Sequence, residues 1–216
     1  MIHIGIDFSL NSPAVCIKKH DGTYLFISFF NFGDRDWESK KIPKAFQLHR
    51  DLSDSDTIMA VPYNRQVGSK DFLESQREKL IDGKNIAGLI VNHIVSFYGT
   101  MSVKIALEGF SYGSTGNSFI DIIQYNTFLR SLMLDAYGAK NIYIVQPSHV
   151  KKLAGKGNAN KHFMAKAFQD NVLNDPELEK TKLWKWAKDK DFSEKIPKPV
   201  DDMIDSYFIM KTLDRE

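Results

Sequence analysis

Residues 2–8 read Ile-His-Ile-Gly-Ile-Asp-Phe, a strand pattern that begins directly after the first methionine and ends on a carboxylate. Apolar and small residues alternate, and this much isoleucine predicts a buried strand. A charge at the end of such a strand is costly unless something pairs with it. Two readings of Asp7 follow. In one, it caps the turn into Ser9-Leu10-Asn11-Ser12-Pro13, whose serines, asparagine and proline are turn formers. In the other, it is the floor of an active site on which carboxylates from elsewhere in the chain converge.

The rest of the chain frames that choice. Its 216 residues suit one domain with elaborations, and 43% hydrophobic against 26% charged residues supply a packed core and argue against global disorder. The net charge is only +2, so any affinity for nucleic acid has to come from local basic patches. Cys16, the single cysteine, has no disulfide partner within the chain and lies in an apolar run, as a buried reduced thiol would. His3, Gly5 and Asp7 interrupt the apolar start, so no signal peptide is expected. No apolar run is long enough to span a bilayer. The expectation is a cytoplasmic protein without a membrane partner.

Asp21-Gly22 between two β-rich runs predicts a hairpin, and the opening reads as a three-stranded meander. Residues 32–70 are polar with mixed charges. Their one short apolar run, 57–61, is a candidate extra strand stopped by Pro62, and the stretch is read as an insertion, solvated and partly ordered. Residues 71–98 predict a long helix with Ile86, Leu89, Ile90, His93, Ile94 and Phe97 on its apolar face, His93 being a satisfied core histidine. A second apolar strand, 103–108, again ends on a carboxylate, Glu108. A glycine-rich loop, a helix over 118–137, a strand over 141–145 and helices over 147–152 and 161–172 follow. Residues 174–199 form a second, lysine-rich insertion in which Trp184 and Trp186 are read as local packing, and a helix over 200–210 closes the chain. This order predicts an α/β architecture, a mixed sheet with helices on its faces.

Asp7, Glu108, Asp202 and Asp205 then stand out. If the two apolar strands are parallel neighbours, Asp7 and Glu108 project from the same end of the sheet, where ligands bind in open α/β folds. Asp202 and Asp205 are three apart on a helix and share a face, which favours Asp202 over the adjacent Asp201. Four carboxylates held together repel, and a divalent cation is the usual resolution. Oxygen donors with open positions suit Mg²⁺ or Mn²⁺, two per site, and the chemistry that follows is two-metal hydrolysis of a phosphodiester.

Four pieces in this order, Gly5-Ile6-Asp7, Ala106-Leu107-Glu108, Val150-Lys151-Lys152 running to Gly155-x-Gly157-x-Ala159-x-Lys161, and Asp202-x-x-Asp205, resemble the RuvC family of Holliday-junction resolvases. The glycine-lysine run is the most specific of them. The resemblance implies a single RNase H-like domain over residues 1–216 with a five-stranded mixed sheet, three strands antiparallel and two parallel. It implies Asp7, Glu108, Asp202 and Asp205 as metal ligands, and Lys161 as a catalytic basic residue next to the scissile phosphate with Lys151 or Lys152 beside it. It also implies a homodimer acting on branched DNA, the four-way junction above all. The two insertions are similar to the elaboration of phage or viral members, whose setting is the host cytoplasm.

Around that frame, Lys151, Lys152 and Lys156 are read as DNA contacts, because interleaved glycines allow close backbone approach to phosphate, against the plainer reading of a solvated lysine surface. Phe110 and Tyr112 either stack on an unpaired base at the branch point or pack locally. Two other classes compete with this reading. A flap or general branched-DNA nuclease shares every motif. The actin and sugar-kinase class also opens on a Gly-Ile-Asp strand, but no second Asp-x-Gly hairpin is present and the C-terminal acidic helix would be unexplained.

Overall fold

The computed structural model describes residues 1–9, 11–33, 42–54, 56–99, 101–110, 117–171, 175–193 and 195–215. Three strands, β1 (Ile2–Asp7), β2 (Ala14–Lys18) and β3 (Tyr24–Asn31), form the expected meander. Its second turn closes at Asp21-Gly22: the Asp21 carboxylate accepts from the Thr23 backbone N–H at 3.0 Å, and Gly22 takes φ 88°, a left-handed conformation that glycine adopts without strain. With β4 (Ile58–Tyr63), β5 (Val103–Glu108) and β6 (Ile142–Val145) they make one sheet in the order β4-β3-β2-β1-β5-β6. β5 lies parallel to β1, and β6 parallel to β5. Three antiparallel strands followed by two parallel ones is the arrangement expected from the sequence.

The sheet has six strands rather than five. β4 pairs parallel with β3 at the edge and carries Pro62 opposite Phe30 instead of stopping before it. An edge strand has an unpaired side, so a residue that cannot donate is tolerated there. Nor is the described part of residues 32–70 a solvated excursion. It supplies β4 and α1 (Lys44–Leu52), and Arg65 beyond them is anchored by a 2.7 Å ion pair to buried Asp82. Residues 34–41 lie outside the described residues.

Strand parity sorts the core into two layers. Ile2, Ile4, Ile6 and Phe8, with Ile105 and Leu107 of β5, face α2 (Phe72–Tyr98) and α3 (Asn117–Tyr137). The odd positions of β1 face the other way, toward α8 (Val200–Lys211), which is flanked by α4 (Pro147–Leu153), α5 (Lys161–Asp170), α6 (Pro176–Glu179) and α7 (Lys182–Ala187). α8 is buried almost all round, as a helix held between a sheet and other helices must be. Its approach depends on Gly5: a Cβ there would lie 2.2 Å from the Met210 backbone nitrogen and 2.4 Å from the Ser206 carbonyl oxygen.

α2 begins at Asp71, whose side chain accepts from the Glu74 N–H, and its buried face holds Ile86, Ile90 and Ile94 as expected. Phe97, expected on that face, is 45% exposed, while Asp82, Gly83, Ala87 and Val91 complete the face instead. His93 donates to the Leu89 carbonyl oxygen at 2.8 Å and meets the Phe29 ring edge-on, a satisfied histidine. In the 174–199 stretch Leu178, Leu183 and Ala187 are fully buried, Trp184 donates to the Gln169 carbonyl, and Trp186 packs beside Phe192. Lys182 binds Thr57 and Ser53, so the two lysine- and aspartate-rich stretches support each other. Cys16 is buried and free. Among the described residues no helix is long and apolar enough to cross a membrane.

Candidate functional site

The register that pairs Ile6 with Leu107 carries Asp7 and Glu108 to adjacent positions at the same end of parallel strands. Both sit on the α8 side by strand parity. The close seat of α8 on Gly5 then brings Asp205 to the same place. Asp7, Glu108 and Asp205 line one cleft of about 580 Å³, together with Lys151 of α4 and Lys161 at the start of α5. The two strand-end carboxylates and Asp205 therefore border the same cleft.

The turn-capping reading of Asp7 fails, because Ser9 does that work: its Oγ accepts from the Ser12 N–H at 3.1 Å. Among the described residues no hydrogen bond reaches the Asp7 carboxylate. Burial, then the negative charges of Asp205, Asp202 and Glu108, push its pKa well above the ordinary range, while Lys198 opposes them. Asp205 is pushed up to about 7, chiefly by burial, with Lys161 opposing and Asp201, Asp202 and Glu108 adding repulsion. Burial also raises Glu108, and Lys151 draws it back. These carboxylates are held against their own electrostatic preference.

The two remaining aspartates divide differently from the sequence argument. Asp202 is 2% exposed, does not line the cleft, and accepts from Ser12 Oγ at 2.7 Å and from the Lys198 ammonium. Asp201 binds Lys161 at 2.5 Å and Lys198 at 3.2 Å, and its Oδ1 accepts from the Asp202 N–H. Lys161 also stands 3.9 Å from Asp205. A lysine in the first turn of a helix opposes the helix dipole. Burial works against its charge as well, yet the Asp201 hydrogen bond and the neighbouring aspartates raise its pKa above the ordinary value.

Of the other expected DNA contacts, Lys151 lines the cleft. Lys152 is exposed and runs alongside Gly157, and the Lys156 ammonium sits 4.6 Å over the Phe163 ring; neither lines the cleft. Phe110 is half-buried, edge-on to Phe119 and stacked under the Arg130 guanidinium at 4.3 Å. Tyr112 lies outside the described residues. Sequence reasoning did not single out Lys198, Ser12 or Arg130. Lys198 had a signal, being four residues before Asp202 just ahead of a helix; Ser12 had none beyond its turn.

Among the described residues the anionic donors facing the cleft are carboxylate oxygens, which suits a hard divalent cation. Among the described residues, however, no three His, Cys, Asp or Glu side chains stand close enough to hold one as they are. The donor chemistry of Asp7, Glu108 and Asp205 fits such an ion, and the ion would have to draw them together. Asp202 is committed to Ser12 and Lys198.

No protein-family model and no curated protein matches the sequence. Among solved structures, that of Thermus thermophilus RuvC is similar at 13% identity and a TM-score of 0.49, over 100% of this chain and 96% of that one. The yeast mitochondrial Holliday junction resolvase Ydc2 is similar at 14% identity and a TM-score of 0.47, over 96% of this chain and 75% of that one. Both TM-scores lie under 0.5.

Proposed function

We propose that this chain is a divalent-metal-dependent endonuclease of the RuvC-like class that hydrolyses phosphodiesters in branched DNA, the four-way junction being its substrate. The observation that carries this reading is the convergence of Asp7, Glu108 and Asp205 in one cleft with Lys151 and Lys161 on its walls. Carboxylates brought to one cleft from two strands and a helix, with raised pKa values, mark a site for cationic cofactors more readily than a packing solution.

Asp7, Glu108 and Asp205 would hold Mg²⁺ or Mn²⁺, with Asp202 joining if Lys198 releases it. When bound, such ions supply a hydroxide nucleophile and stabilise the leaving oxygen. The chain's own residues do the rest. Lys161, tethered by Asp201, places an ammonium where a phosphate entering the cleft would meet it. Lys151 offers a second cation across the cleft and offsets Glu108. Ser12 and Lys198 fix Asp202, and through it the first turn of α8.

A four-way junction has two-fold symmetry, and one site per chain calls for a two-fold dimer. The test is cleavage of four-way, three-way, flap and linear DNA with Mg²⁺ or Mn²⁺. Preference for the four-way junction with paired cuts is expected. Equal or better cleavage of flaps would replace the resolvase by a general branched-DNA nuclease, and no cleavage of any DNA would overturn the proposal.

A further inference from the structure

Beside the carboxylate cleft lies a second cavity of about 410 Å³, and the two share Gly109, Phe110, Phe119 and Pro147 along their common wall. Its walls are mostly apolar, with Ile144 of β6 51% exposed at the rim. Into this setting α3 brings one cation. Arg130 lies over the Phe110 ring and donates from Nη2 to the Glu108 backbone oxygen at 3.0 Å. Among the described residues its Nε is sealed from solvent with no acceptor, and no carboxylate pairs with it. A half-buried guanidinium without a counter-charge, on the lining of an apolar cavity, is expensive to keep for packing alone.

Resting on the nuclease reading above, we infer that this cavity takes one unpaired nucleobase next to the scissile phosphate, and that Arg130 reads its carbonyl edge and so sets the base preference of cleavage. The cavity's chemistry selects the class of ligand. A base presents apolar faces to Phe110 and Phe119 and carbonyl or ring-nitrogen acceptors to a guanidinium. A phosphate would shed its hydration against Phe119, Ile144 and Pro147 for one cation that is already hydrogen-bonded to the backbone. Gln146, exposed at the rim, adds an amide able to donate and accept. The wall shared with the carboxylate cleft makes the occupant a neighbour of the reacting nucleotide, because the same Phe110 borders both.

Two readouts test this in the full-length protein. In EDTA, four-way junctions carrying 2-aminopurine at successive positions around the branch point are titrated with protein. One position should change fluorescence on binding, and the change should be lost in Ile144→Trp, which fills the cavity from an exposed site, and in Arg130→Met. With metal, junctions randomised at the cut site should show a base preference of roughly tenfold or more at that position in the wild type. The preference should fall to near unity in Arg130→Met and partly persist in Gln146→Ala. If fluorescence and base preference are unchanged in both Ile144→Trp and Arg130→Met, the inference is overturned. It is also overturned if Arg130→Met weakens binding to every sequence equally and flattens the salt dependence, the mark of a phosphate contact. Absence of cleavage in the wild type would count against the nuclease reading alone, since the fluorescence arm reads occupancy without catalysis.

Discussion

Gly5 of the first strand and Met210 of the last helix meet backbone to backbone, so that a Cβ on Gly5 would lie 2.2 Å from the Met210 nitrogen. Because α8 carries Asp201, Asp202 and Asp205, this contact sets how near they come to Asp7. Gly5→Ala has no flexible side chain to push aside, only helix backbone. We expect a loss of about 3 kcal/mol or more, the upper end of overpacking effects. The variant that still folds should have lost cleavage through displacement of Asp205. Urea denaturation within 1 kcal/mol of wild type would show that α8 is free to shift.

Asp7→Asn keeps the shape of the side chain and removes its charge. Cleavage should drop by about 10³-fold, since the ions the site calls for lose a ligand from the end of the central strand. Junction binding in EDTA should be retained. The metal-free variant should be at least as stable as the wild type, because three neighbouring carboxylates cease to repel it. Near-normal cleavage would remove the basis of the nuclease reading.

The raised carboxylates give a signed pH effect. Asp205, at about 7 in the fold against an ordinary 3.8, is protonated in the native state and ionised in the unfolded chain between those values. Native protein therefore binds more protons, and stability falls as pH rises through that window, by on the order of a few kcal/mol. His49, held down to about 4 by burial, acts in the opposite sense below pH 6.5. The informative quantity is thus the difference between wild type and Asp205→Asn, followed by thermal unfolding in EDTA from pH 5 to 8. The variant should gain relative to wild type as pH rises. Mn²⁺ should lift the wild type at pH 8 and leave the variant nearly unchanged. Parallel curves would show that Asp205 is not strained.

Lys161→Met should slow cleavage by roughly 10²-fold while leaving junction affinity within a few-fold, because its ammonium sits in the cleft. Asp201→Asn loosens the same ammonium from its 2.5 Å partner and should cost about tenfold. If Asp201 acts through Lys161, the double variant will be no worse than Lys161→Met. Fully additive losses would give Asp201 a role of its own. Lys152→Ala and Lys156→Ala, whose side chains do not line the cleft, should affect binding at most and not the rate at saturation.

α2 leaves Phe72, Leu73, Leu80 and Ile81 at least 46% exposed, a surface that a second copy would cover in the proposed dimer. Light scattering should give a dimer with and without junction DNA, and Leu73→Glu with Ile81→Glu should give a folded monomer that makes single rather than paired cuts. A wild-type monomer on junction DNA would favour the flap-nuclease alternative.

Much of this molecule is local and was therefore legible in its sequence. The β1–β3 meander follows from alternation and the Asp-Gly turn, and α2 follows from its apolar spacing and the Asp71 cap, since each depends on residues a few positions apart. Asp7 and Glu108 were identifiable for the same reason, as charges ending apolar strands, and only the parallel pairing of those strands had to be supplied. Tertiary packing decided what depended on distant partners. Pro62 reads as a stop, yet becomes part of β4 because the edge of the sheet leaves one side unpaired. Helical spacing alone groups Asp202 with Asp205. In the fold, Ser12, 190 residues away, and Lys198 turn Asp202 aside, and Lys161 on another helix joins Asp201 to Asp205 instead. Which of several adjacent carboxylates faces a cleft is set by the cations and hydroxyls that other segments bring to it, and a one-dimensional pattern does not contain that information.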